Sequence, residues 1–109
     1  MVIRLSLSYA DLQCFVAYSN TLIKVLNQRI TKLKDVDKPQ QIAYLSEIMK
    51  IQMKLAFKLF NWPLENRHKK IKSVSITYIQ GYIFWLHYDH SPIQINDKIE
   101  LITKHFLTR

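Results

Sequence analysis

A chain of 109 residues, 49% of them hydrophobic, is long enough for one modest core and too apolar for disorder. Sixteen Lys and Arg against eight Asp and Glu leave a net charge of +8. That charge favours nucleic acid, an acidic protein or an anionic membrane surface as partner, unless it serves only solubility. The one glycine, Gly81, rules out a P-loop or a dinucleotide fingerprint, and the one cysteine, Cys14, rules out an intrachain disulfide.

Val2 to Leu7 reads as a strand, with Leu5 and Leu7 on one face and Arg4, Ser6 and Ser8 on the other. Ser8 can accept from the first N–H groups of a following helix, and Asp11 sits in its positive first turn. Leu12, Phe15, Val16, Leu22, Ile23, Leu26, Ile30 and Leu33 give that helix a 3.6-residue stripe, ended at Lys34-Asp35-Val36-Asp37. Cys14, between Leu12 and Phe15, reads as a buried and inert thiol.

A second helix follows, with Asp37 as cap and Pro39 in the first turn. Its expected buried face is Ile42, Leu45, Ile48, Met49, Leu55, Ala56 and Leu59, and Phe60-Asn61-Trp62-Pro63 stops it. Leu64 to Lys70 is irregular. A second strand runs from about Lys70 to Ile76. The Thr77–Gln80 capping box then opens a third helix, whose middle is apolar nearly all round and needs cover on several sides. Ser91-Pro92-Ile93-Gln94 is a further capping box, and the last helix buries Ile95, Ile99, Ile102 and Phe106.

The chain states one phrase twice. Leu5-Ser6-Leu7-Ser8-Tyr9 returns as Val74-Ser75-Ile76-Thr77-Tyr78, and Pro39-Gln40-Gln41-Ile42 is answered by Pro92-Ile93-Gln94-Ile95. The first pair lies 69 positions apart (74 minus 5) and the second 53 (92 minus 39), so the first helix should exceed the third by sixteen residues (69 minus 53). The expected architecture is an α-dominated α+β fold in one domain, 1–109. It is a duplicated strand-helix-helix unit (βααβαα; repeats 2–62 and 70–108), with four helices and a small two-stranded antiparallel ribbon. The helices must cover one ribbon face, because such a ribbon is not stable alone. Its outer edges could accept a partner's strand.

Chemistry-bearing clusters are sparse. His87, Asp89 and His90 are ligand types within four residues, but His68 and His105 have no reason to converge on them. No metal or other cofactor is expected. No motif assembles a nucleophile, a base and an orienting acid, so the chain reads as non-enzymatic.

The basic features say more. Lys50, Lys54 and Lys58 form an i, i+4, i+8 row on the second helix, and Arg67, Lys69, Lys70 and Lys72 cluster, with His68, before and within the second strand. Like charges at this spacing repel by a few tenths of a kcal/mol per pair. Phosphate binding would explain that cost, and a solvated helix face whose lysine stems cover apolar neighbours is the alternative.

The leading expectation is therefore a basic accessory protein that binds DNA or RNA non-specifically through phosphates, as a homodimer. The alternative is a protein-interaction module, an adaptor or inhibitor using a strand edge or the aromatics Tyr82, Trp85 and Tyr88. Ser6, Ser8, Asp11 and Asn20 interrupt any leader-like apolar run. The longest strictly apolar run, Tyr82 to Leu86, is too short for a bilayer. No membrane insertion and a cytoplasmic location are expected.

Overall fold

Alternating apolar and hydroxyl residues form a ribbon of two antiparallel strands, β1 (Val2–Ser8) and β2 (Ile71–Thr77). The computed structural model describes residues 2–63, 65, 70–87 and 92–107, without the side chains of 93, 103 and 105–107. Ile3 faces Ile76, Leu5 faces Val74, and Leu7 faces Lys72 across the ribbon. The first two pairs and Leu7 are buried, whereas Val2, Arg4, Ser6, Ser73 and Thr77 are exposed. The ribbon thus has one wet face and one apolar face that the helices cover.

Both strands run straight into helices through reciprocal caps. Ser8 Oγ accepts from the Asp11 N–H while the Asp11 carboxylate accepts from the Ser8 N–H, both at 3.1 Å. Thr77 and Gln80 repeat the arrangement at 3.2 and 3.0 Å. Each box satisfies two first-turn groups and fixes where extended backbone turns helical. The helices they start are α1 (Tyr9–Lys32) and α3 (Tyr78–Leu86). They have 24 and 9 residues, a difference of fifteen (24 minus 9) against the expected sixteen.

Helix α2 (Lys38–Phe60) packs along α1, and a 3-10 turn at Ile93–Ile95 leads into α4 (Asn96–Leu107). The described residues are thus mostly helical, with four α-helices and a two-stranded antiparallel sheet. Asp37 does precede α2, but its carboxylate makes no capping bond. The Ser91 end of the last capping box and the Phe106 side chain lie outside the described residues.

One core joins the ribbon's inner face to Leu12, Phe15, Tyr18, Leu22 and Leu26 of α1, Ile48, Ile51 and Leu55 of α2, Ile83 and Phe84 of α3, and Ile95, Ile99 and Ile102 of the last turn and helix. Gly81 lies where α3 meets β1: a Cβ there would stand 2.8 Å from Ile3 Cδ1 and 3.3 Å from Ile102 Cγ2. A side chain at this position would force the core residues to shift.

Two expectations about buried faces are corrected. Ile42 and Met49, expected inside α2, are exposed. They sit at the far end of an apolar arc too wide for α1 and the ribbon side of the core to cover. Tyr18, absent from the expected α1 stripe, is buried. Its hydroxyl lies 2.7 Å from the Phe84 carbonyl and 2.8 Å from the His87 carbonyl, so its single hydrogen is shared between acceptors at the end of α3.

Candidate functional site

The lysine row of α2 touches β2 at its middle. Lys54 Nζ donates to the Ser75 carbonyl at 2.5 Å, which fixes the middle of the row against the strand backbone. One turn earlier, Lys50 Nζ meets Glu47 Oε1 at 3.2 Å, and the other Glu47 oxygen accepts from Gln80 Nε2 at 3.3 Å. Gln80 therefore serves both the Thr77 cap and an α2–α3 tie. Lys58 is half-buried.

Lys72 reaches the same margin from β2. The register puts it on the ribbon's inner face opposite Leu7, so its stem follows the core edge and its ammonium emerges over Trp62, 5.0 Å from the ring centroid. Trp62 is buried just after α2 and meets Tyr9 edge-on at 5.7 Å. Its indole nitrogen has no hydrogen-bond partner among the described residues. Lys70 is exposed at the mouth of β2. One lysine from each sequence group thus joins α2 to β2: Lys54 through the Ser75 carbonyl, and Lys72 through the Trp62 ring at the end of α2. Arg67, His68 and Lys69 lie outside the described residues.

The α3 aromatics stand elsewhere. Tyr82 and Trp85 are half-buried, 5.8 Å apart between ring centroids, and Tyr82 also faces Tyr44 of α2 at 6.3 Å. Tyr88 lies outside the described residues. Five large exposed apolar side chains, Ile42, Met49, Met53, Phe57 and Phe60, share a line along α2. Met53 and Phe57 have no role assigned from the sequence, and Phe60 has one only as part of the helix stop. Their spacing was visible there, but which of two apolar faces would be covered was not.

His87 is buried at the end of α3. Its Nδ1 lies 3.0 Å from the Ile83 carbonyl, and its Nε2 lies 3.2 Å from an Arg29 guanidinium nitrogen. A carbonyl can only accept and a guanidinium can only donate, so the ring carries its hydrogen on Nδ1. Both nitrogens are occupied, and no group of three or more potential metal ligands forms among the described residues. Asp89 and His90 lie outside them. Cys14 is half-buried and donates to Gln94 Oε1 at 3.2 Å. Burial, with a smaller contribution from the Asp11 carboxylate, pushes its thiol above the ordinary value, opposite to what a nucleophile needs.

No helix among the described residues is long and apolar enough to cross a membrane. No protein-family model, no curated protein and no solved structure matches the chain.

Proposed function

We propose that this is a non-enzymatic basic accessory protein that holds nucleic acid, DNA or RNA, by phosphate contacts along the α2/β2 margin. The observation that carries this reading is that Lys54, the middle of the α2 row, bonds to the β2 backbone at Ser75 while Lys72 of β2 stands over Trp62 at the end of α2. An ammonium has three donors, so the Ser75 contact orients Lys54 without exhausting it. The Trp62 ring orients Lys72 in the same way while leaving its charge in place. Lysines already ordered lose less freedom on meeting a phosphate than fully mobile ones. Backbone contacts of this kind carry no sequence information, so generic duplex and single strands both serve as ligands. The same reading takes the two halves, 2–62 and 70–108, as unequal copies of one strand-helix-helix unit and places the protein in the cytoplasm.

A gel-shift with a generic DNA duplex and a generic single strand at low salt tests it. Retention that weakens as salt rises is expected, and Lys50→Glu with Lys58→Glu should abolish it while circular dichroism stays unchanged. Absence of retention at low salt, or retention indifferent to both substitutions, would sink the reading.

A further inference from the structure

The back of α2 carries side chains that the fold does not use. Ile42, Met49, Met53, Phe57 and Phe60 are 51, 48, 69, 70 and 89% exposed. Steps of seven, four, four and three residues keep them in line over five turns, about 27 Å at 1.5 Å per residue. Ile48, Ile51 and Leu55, which enter the core, lie on the opposite side of the helix. At about 200 Å² for a large apolar residue, these exposures come to roughly 650 Å² per chain, at or beyond the largest patches of ordinary monomers. The connection 64–69 contains one apolar residue, Leu64, too little to cover such a line.

We infer that a second copy of this chain covers the stripe, with its α2 antiparallel to the first, and that the pair gathers the lysine rows of both copies on one side of the seam. The area fits: two stripes bury about 1,300 Å² together, within the roughly 1,200–2,000 Å² of standard interfaces. The shape fits as well, because a straight 3.6-residue line is matched by a helix of the same length and spacing. Antiparallel pairing centred on Met53 sets Phe57 against Met49 of the second copy, a ring against a slender chain. It also opposes the helix dipoles favourably. A parallel pair would set Phe60 against Phe60 and align the dipoles.

Twofold symmetry then fixes where the charge goes. Lys50, Lys54 and Lys58 each directly follow a stripe residue, so all three lie about 100° further round the helix, on one flank. An antiparallel twofold axis maps that flank onto the same side of the seam. Six lysines, three from each copy, therefore border one continuous face. They repel one another at low salt, and either salt or a bound polyanion relieves the repulsion. Assembly and phosphate binding become coupled, with each copy completing the other's basic face. The role of the lysines rests on the phosphate-binding reading, whereas the seam rests on the exposed stripe alone.

Sedimentation equilibrium of the whole chain at roughly 0.05 and 0.5 M salt, with and without a generic DNA duplex, tests the inference. The wild type should run at twice the 13.0 kDa chain mass, more tightly paired at high salt or with DNA present. Met53→Gln with Phe57→Gln leaves the charge and the core unchanged. It should be monomeric and bind the duplex at least about tenfold more weakly, since avidity is lost. Should that pair misfold, Met53→Gln alone should weaken pairing in the same direction.

A wild-type monomer at every salt concentration, or a dimer indifferent to both variants, would overturn the seam. A wild-type dimer without duplex binding would uphold the seam and overturn the phosphate reading. Duplex binding undiminished in the monomeric variant would uphold the phosphate reading and overturn the composite face. A wild-type monomer whose stripe binds phosphatidylserine vesicles, or a synthetic acidic amphipathic helix, would replace the second copy by that ligand.

Discussion

Tyr18 ties α1 to α3 at a point where helix geometry leaves carbonyls without partners. Its ring stacks on Phe84 with centroids 5.4 Å apart, and its hydroxyl serves the Phe84 and His87 carbonyls. Tyr18→Phe keeps the stack and removes the hydroxyl. Because the site is buried, the carbonyls cannot turn to water, and about 1–3 kcal/mol of stability should be lost. Urea unfolding followed by circular dichroism measures this, and a loss near zero would mean that water reaches the carbonyls. Cys14 gives a second residue-scale prediction. Its raised thiol value leaves less thiolate at neutral pH, so iodoacetamide should alkylate it more slowly than a small free thiol. A thiol value raised on folding stabilises the protein below the ordinary thiol range. That contribution disappears as pH rises through the folded value. Cys14→Ser should therefore flatten the alkaline loss of stability.

At the scale of elements, helix starts are encoded locally and helix faces are not. The Thr77–Gln80 box was legible because its partners are three residues apart. It placed the β2–α3 boundary although Ile71, Val74, Tyr78 and Ile79 also fit a helical stripe across it. Asp37 resembles a cap in sequence yet makes no side-chain bond. Ser8→Ala and Thr77→Ala should each cost about 1 kcal/mol, while Asp37→Ala should cost almost nothing. Equal losses at all three positions in thermal unfolding would contradict that distinction.

Helix α2 shows the opposite case. Its apolar residues occupy more than half of its circumference, and only packing decides which of them meet α1 and the ribbon. The core took Ile48, Ile51 and Leu55 and left Ile42 and Met49 outside. Tyr18 escaped the sequence reading for a related reason: its partners are 66 and 69 residues away, beyond any local pattern.

Across the whole molecule, the 24- and 23-residue helices α1 and α2 set the long dimension of 49 Å against 32 and 25 Å, and the ribbon with α3 and α4 covers one side of that hairpin. The ribbon's pairing was legible because two alternating apolar and hydroxyl phrases each run into a capping box. The candidate site was legible only in halves. The sequence displayed two lysine groups, but the Lys54–Ser75 and Lys72–Trp62 contacts that join α2 to β2 are long-range, which no spacing reveals. The ring under Lys72 comes from Trp62, ten positions earlier (72 minus 62). What this layout produces is a helix with three roles: core on one side, lysines along one flank, and an apolar back.

Fluorescence anisotropy of a labelled duplex, titrated with the whole chain across a salt series, tests that assignment most directly. With the five lysines of the α2/β2 margin available per copy, log Kd plotted against log salt should rise with a slope of about 3 to 5 per bound chain. Lys50→Gln with Lys58→Gln should lower the slope by roughly 2. A slope near zero, or one unchanged by the two substitutions, would contradict phosphate binding along this margin.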